Sequence, residues 1–357
     1  MKALKEMPQN RYHLILKGDA KDKLRDLPND SVDCIVTSPP YFRQRNYDEA
    51  TTVWDGNIDC IHRINENNDY CMRCGGKRQQ LGDEDDFEFY ILHLMQITKE
   101  LKRILKPTGV LFWNMSDSYA GSGGANRAKL REGQLPYNGS GRQNGIENKS
   151  LMLLPERFAI SMVNEDWILR NKIIWWKRSC LPTSATDRLT NRWEYVYFFT
   201  KSRQYYFNLN AIRKPYAEST IHGVSLKRGY NGQARKNYRD ASAQNPSDVK
   251  RRIIKSIQKY GGANPGDIFD VQPEPHLFNH FAAYPYKLVE TLLKAGCPVG
   301  GTVLDPFAGS GTTGIAAERL NLNSILVEIS PKYIQLIKER MNWGNLLLGE
   351  DITWEEV

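Results

Sequence analysis

Residues 305–313 read DPFAGSGTT, and the turn they encode decides the fold. A short apolar stretch, 302–304, runs into this Gly-rich turn, which opens a helical pattern and so aims backbone N–H groups and a helix N-terminus at a ligand. The turn has no Lys: Gly309-Ser310-Gly311-Thr312 lacks the GK[ST] of a triphosphate-binding loop, which disfavours an ATPase and favours a nucleoside ligand. About fifteen residues on, Glu328 closes the next strand pattern, where an ionised carboxylate can accept from both hydroxyls of a ribose. In an ordinary nucleotide-binding α/β domain such a loop comes first. Here about three hundred residues precede it, so the sheet must be completed by earlier chain, and the order is permuted.

Working outward, Tyr12 to Leu16 reads as a buried strand ending at Gly18-Asp19, with a short helix over 20–27 closed by Pro28. A second strand over 31–36 is ended by Pro39-Pro40. Apolar residues from Phe87 to Leu105 recur at helical spacing and stop at Pro107 and Gly109; 110–115 follows as a strand and 151–163 as a helix. Two strands, 168–176 and 193–200, suggest a β-hairpin, and the aromatic run from Trp193 to Phe199 reads as core. Helices over 284–294, from the Gly-rich loop to about Leu320 and from Pro331, with a strand over 324–327, complete the pattern. The Gly- and Asn-rich segment 121–150 reads as a mobile loop, and the acidic 349–357 as a surface tail.

The 357 residues carry a net charge of +8, and the surplus is uneven: 211–260 holds 12 Lys and Arg against 3 Asp and Glu. That segment is the candidate for reading a polyanion. No stretch approaches the roughly 18 apolar residues of a membrane span, and MKALKEMPQNRY lacks a signal-peptide core, so a cytoplasmic protein is expected.

Two further constellations carry chemistry. In Ser38-Pro39-Pro40-Tyr41 the prolines force a rigid extended turn, leaving the Ser38 hydroxyl and the Pro39 carbonyl as acceptors beside an aromatic face. Such a site grips a planar NH₂; acceptors on both hydrogens favour its pyramidal, nucleophilic form, and Tyr41 can stack on the ring. Among six cysteines, Cys60-x-His62 and Cys71-x-x-Cys74 lie close together in a segment of low apolar content. Two N/S pairs at this spacing suit a closed tetrahedral zinc site, structural rather than catalytic, that pins the loop after Tyr41.

Together, TSPPY at 37–41 and DPFAGSGTT at 305–313 resemble the S-adenosylmethionine-dependent amino-methyltransferases of DNA. The catalytic motif first, the cofactor loop last and a basic segment between them resemble the β group of that family, as found in restriction-modification systems. The resemblance implies an α/β fold with a Rossmann-like methyltransferase sheet, circularly permuted in motif order, carrying an inserted zinc loop and a target-recognition region. Its division would be 1–207 catalytic, with the zinc insertion at about 55–80; 208–275 target recognition; 276–345 cofactor binding; and 346–357 a tail.

The resemblance also assigns residues. Ser38, Pro39, Pro40 and Tyr41 would hold the target amine. Asp19, Thr37, Asp305, Pro306, Phe307, Ala308, Gly309, Ser310, Gly311, Thr312 and Glu328, with Phe281 and Pro285 of the His280–Pro285 motif, would hold the cofactor. The strand ending at Glu328 should lie beside the one ending at Asp19, so that the two ends of the chain meet in the sheet. Double-stranded DNA is the implied partner, its base flipped out of the stack. Within the family SPPY is typical of N4-cytosine methylation, with N6-adenine as the alternative, RNA base amines more distant, and an inactive zinc-containing DNA-binding module the reading from another class. C5 chemistry needs a cysteine nucleophile in a Pro-Cys pair, and the chain has none. A cognate endonuclease, the target sequence and the oligomeric state stay open.

Overall fold

The computed structural model describes residues 11–44, 50–57, 59–121, 145–180, 183, 185–216, 255, 259–273, 284–348 and 354–356. Its first half runs β1 (His13–Lys17), α1 (Ala20–Lys23) continued by a 3-10 turn (Leu24–Asp26), β2 (Val32–Thr37), β3 (Thr52–Trp54), β4 (Lys77–Gln79), α2 (Phe87–Ile104) and β5 (Leu105–Met115). There follow α3 (Leu154–Asn164), β6 (Ile168–Trp176), β7 (Trp193–Thr200), β8 (Ile268–Asp270), α4 (Tyr286–Gly296), β9 (Thr302–Asp305), α5 (Thr312–Arg319), β10 (Asn323–Glu328), α6 (Pro331–Leu348) and β11 (Trp354–Glu356).

Nine strands form one sheet in the order β11-β1-β10-β9-β2-β5-β7-β6-β8, while β3 and β4 pair as a separate antiparallel ribbon. The expected meeting of the chain's ends is present: β1 runs parallel to β10 with His13 opposite Ser324 and Lys17 opposite Glu328. The sheet is mixed, because β7 is antiparallel to both β5 and β6.

Alternation along the strands decides the layers. Ile35, Leu111, Trp113, Tyr197 and Phe199 face one side with Leu94, Leu101 and Phe158 from α2 and α3. Cys34, Val36, Val110, Phe112, Val196 and Phe198 face the other, with Leu288, Leu292 and Ala316 from α4 and α5. Ile15 and Leu326 extend that second face against Ile334, Ile337 and Met341 of α6. With both faces covered, the central strands read as near-continuous apolar runs. Burial of each large apolar side chain contributes about 1.5–3 kcal/mol.

Three elements depart from the pattern expected of the sequence. β5 begins at Leu105, before Pro107 and Gly109, because a bulge opposite Val32 and Cys34 absorbs them. Lys106 Nζ fixes that bulge by donating to both Asp33 oxygens at 2.8 Å. The acidic end is not wholly a tail: 354–356 adds an edge strand to β1, whose outer backbone groups would otherwise lack a partner. Within 208–275, expected as the target-recognition region, Ile268–Asp270 instead joins β6 of the main sheet in parallel.

A second compact unit, Phe207–Gly266, contains the whole of the basic segment 211–260. Its described residues include a 3-10 turn, Leu209–Ile212, capped by the Asn208 side chain, and an isolated bridge between Lys214 and Ala263. Arg213 lies over the Tyr260 ring at 4.3 Å and donates to the Gly262 carbonyl. The loop expected to be mobile falls largely on 122–144, outside the described residues. Among the described residues no helix is long and apolar enough to cross a membrane.

Candidate active site

A cavity of about 540 Å³ opens at the carboxyl ends of β1, β2, β5, β6, β9 and β10, where ligands bind in open α/β sheets. It brings together residues separated by most of the chain: Asp19, the whole of Ser38–Tyr41, Pro306 to Ser310, Thr312 and Glu328. Two functions inferred from opposite ends of the sequence thus share one space.

One end is built largely from backbone. Gly309 and Gly311 take φ of 51° and 78°, a region that disfavours a side chain. At Gly311 a Cβ would also meet Ile337 at 3.0 Å. Glu328 braces the loop: one carboxylate oxygen accepts from Gly309 N and the other from Ser330 N, both at 2.8 Å. Each oxygen keeps a further lone pair for a ligand hydroxyl. Burial pushes the Glu328 carboxyl up to about 7, against the pull of those backbone donors. Asp19 is pushed up to about 6, again chiefly by burial; its Oδ1 accepts from Lys21 N and caps α1.

Asp305, Thr37 and Gly311 stand behind the cavity wall rather than on it. Asp305 Oδ1 accepts from the Thr37 hydroxyl at 2.7 Å and from Phe307 N at 3.1 Å, and Oδ2 from the Tyr284 and Thr313 hydroxyls at 2.6 Å. All four acceptor positions of the carboxylate are occupied, so Asp305 ties β2, β9, α4 and α5 together. Pro285 caps the start of α4, and Phe281 lies outside the described residues.

The other end is built from side chains. The Tyr41 hydroxyl accepts from Ser38 Oγ at 3.2 Å and lies 2.8 Å from Glu194 Oε2 and 3.1 Å from Asn114 Oδ1. Its single proton goes to the shorter, charged contact. Burial, reinforced by the Glu194 charge, holds the phenol well above its ordinary range, so Tyr41 is not a base. Asn114 Nδ2 donates to Glu194 Oε2 and to the Tyr195 carbonyl. Lys177 pairs with the other Glu194 oxygen and lies over the Trp175 ring at 4.2 Å. The Pro40 carbonyl accepts from Tyr90 OH at 2.8 Å, whereas among the described residues no donor meets the Pro39 carbonyl.

Behind this end lies a polar chain, buried at Glu84 and His93 and exposed at Asp55. Gly82, whose N–H donates to Glu84, abuts the Tyr41 carbonyl. Glu84 Oε1 faces His93 Nδ1 at 2.9 Å, and His93 Nε2 faces Asp55 at 3.0 Å, with Trp54 stacked on the imidazole. Trp54 and Lys77 are opposite residues of the β3–β4 ribbon, which encloses the cysteine-rich segment. There, one donor atom each from Cys60, His62, Cys71 and Cys74 lie within 4.8 Å of one another.

Reading the sequence alone missed Glu194, hidden in an aromatic run taken as core, and Asn114, counted only as strand. The signal was a polar residue interrupting an apolar strand at its active end. Asp117 accepts from the N–H groups of Ser118, Leu153 and Leu154 and so ties the end of β5 to the start of α3.

The family described as DNA methylase matches residues 32–339. Type II methyltransferase M.SmaI of Serratia marcescens is 30% identical over 329 residues, covering 92% of this chain and 90% of its own. M.SfiI of Streptomyces fimbriatus is 27% identical over 410 residues, with 89% and 88% covered. Among solved structures, PvuII DNA methyltransferase, described as cytosine-N4-specific, superposes with a TM-score of 0.55 at 16% identity, covering 96% of this chain and 95% of its own. A DNA modification methylase of Thermus thermophilus complexed with S-adenosyl-L-methionine gives 0.52 at 23%, covering 96% and 98%. At these identities the structural likeness speaks for the fold.

Proposed function

The chain belongs to the DNA methylase family, whose members methylate exocyclic base amines, and from that premise we propose that it methylates N4 of a flipped-out cytosine in duplex DNA, using S-adenosylmethionine. The observation that carries this reading is the single cavity shared by Ser38–Tyr41 and the Gly-rich loop. The residues fit the cofactor: a lysine-free backbone loop and two carboxyls suit a nucleoside bearing a positive sulfonium better than a triphosphate. When bound, it supplies an already activated methyl group.

Asp19, Glu328 and the loop from Pro306 to Thr312 bind and orient the donor, with Asp305 and Thr37 holding the loop's shape. Ser38 Oγ and the Pro39 carbonyl take the two hydrogens of the target amine, and Tyr41 stacks on the ring. No base is required before transfer; the proton leaves afterwards, and the protein's main contribution is alignment. Ser38 is what favours cytosine over adenine, and the segment 208–275 is assigned to recognition of the DNA sequence. The test is to incubate DNA of mixed sequence with labelled S-adenosylmethionine, digest to nucleosides and identify the product. N4-methylcytosine is expected; N6-methyladenine would overturn the base assignment, and no transfer would end the enzymatic reading.

We assign zinc to Cys60, His62, Cys71 and Cys74. Zn–S near 2.3 Å and Zn–N near 2.0 Å give tetrahedral edges of about 3.8 Å between sulfurs and about 3.5 Å between sulfur and nitrogen. Cys60 Sγ and Cys71 Sγ are 3.9 Å apart, and Cys74 Sγ and His62 Nδ1 3.4 Å, while the N–H groups of Arg63 and Arg73 point at Cys71 Sγ. Four protein ligands leave no open position, so the metal is structural and steadies the ribbon behind Gly82 and Tyr41. Elemental analysis should find one zinc per chain, lost in Cys71→Ser/Cys74→Ser; a metal-free wild type would end the assignment.

A further inference from the structure

We propose that Lys177 reads the ring edge of the target base by donating to the acceptor beside its exocyclic amine; the proposal rests on the reading that the cavity takes an aromatic base amine. An aminated base presents its NH₂ next to an acceptor ring nitrogen, N3 in cytosine and N1 in adenine, and cytosine adds O2 on the far side of N3. A pocket that satisfies only the amine would leave this acceptor desolvated and unpaired.

Donor counting at the acceptor end picks out the partner. The Tyr41 proton is held by Glu194, and both Asn114 amide hydrogens are taken, by Glu194 and by the Tyr195 carbonyl. Gln44, at the exposed rim, gives one amide hydrogen to Ser118 Oγ, and its other is a neutral donor, weaker than an ammonium. Lys177 is the one Lys or Arg among the described residues lining the cavity. Its ammonium has three hydrogens, and Glu194 Oε1 is the acceptor that engages it. The aliphatic stem is fixed as well, since the ammonium lies over Trp175 at 4.2 Å.

Glu194 sits at the centre of this arrangement. One oxygen anchors the tip of Tyr41, the residue that would stack on the base, and the other holds Lys177, which would meet its edge. The carboxylate therefore sets the donor and the stacking face relative to each other, and an ammonium with spare hydrogens suits the two adjacent acceptors of cytosine. Glu194 is a positioning residue, whereas Lys177 touches the base.

The alternative role for Lys177 is to neutralise Glu194, and a substrate cycle separates the two. Once the methylated site has been mapped, wild type, Lys177→Met and Lys177→Met/Glu194→Gln are assayed on a synthetic duplex carrying cytosine or 3-deazacytosine at the target. The wild type should lose about 10- to 100-fold in kcat/KM on the analogue, the worth of a charge-assisted hydrogen bond. Lys177→Met should lose a similar factor on cytosine and almost nothing further on the analogue, with S-adenosylmethionine binding retained as the check on folding. Glu194→Gln in the double variant should not restore the loss. Undiminished discrimination by Lys177→Met, or full rescue in the double variant, would overturn the proposal. If the wild-type product is N6-methyladenine, the cytosine assignment fails separately, and the same cycle with 1-deazaadenine tests Lys177.

Discussion

The two ends of the cavity are made differently. The proposed donor end is a contiguous backbone turn, 305–312, braced by Glu328, with Asp19, which caps α1, on the same cavity. The acceptor end gathers Ser38, Tyr41, Asn114, Lys177 and Glu194, side chains from four segments that meet only when β5, β6 and β7 are aligned. A site made of backbone needs a local conformation; a site made of side chains needs the sheet. Damage to the first should appear in cofactor affinity, and damage to the second in turnover.

The joint between the two ends is the most sensitive point. Asp305→Ala would remove the carboxylate acceptor of the Thr37, Tyr284 and Thr313 hydroxyls, the last two keeping each other, and should cost about 3 kcal/mol of stability, read by denaturant unfolding. Unchanged stability would mean that the ends are not coupled through this carboxylate. Next in size, Tyr41→Ala should lower kcat by about 10- to 100-fold, the worth of one aromatic stack on a base, while calorimetry finds S-adenosylmethionine bound within about threefold of wild type. Equal losses in both would erase the distinction between the ends.

Gly311→Ala tests the backbone end. A side chain at φ 78° set against Ile337 should cost about 1–2 kcal/mol of stability and weaken cofactor binding, with kcat at saturating cofactor nearly preserved. The smallest effect is pH. Asp19 and Glu328 are pushed up to about 6 and 7 because burial disfavours their ionised forms; ionised, both attract a cationic ligand, and Glu328 accepts more strongly from ribose hydroxyls. Cofactor affinity should therefore rise several-fold from pH 5.5 to 8, most steeply between 6 and 7. Stability of the ligand-free protein should move oppositely, because carboxyls whose pKa is raised by folding contribute fully below about pH 4 and lose that contribution as pH passes 6–7. Thermal melts across this range check the sign, and affinity flat with pH would remove both carboxyls from the binding account.

Several features were legible without coordinates because each rests on chemistry local to the chain. Two prolines after a strand force a rigid turn at Ser38–Tyr41, two close N/S pairs suggested a metal site, and the late position of 305–313 announced the permuted order. Glu194 was obscured by context: a charge beside five aromatic residues within Trp193–Phe199 reads as an exposed strand position until β5 and Lys177 are placed against it. The edge strand at 354–356 was equally hidden, because three residues carry too little periodicity and their partner lies at the opposite end of the chain.

The sequence by itself determined the backbone turns, the alternating apolar strands and the two motifs whose order implied one permuted sheet, since proline, glycine and period-2 patterning act within a few residues. Only the tertiary structure decided how the receiving pocket is equipped. Which carboxylate anchors Tyr41, which ammonium faces the cavity and how Asp305 joins the halves all depend on hydrogen bonds between residues 17 to 268 positions apart, formed once the sheet brings them within about 3 Å.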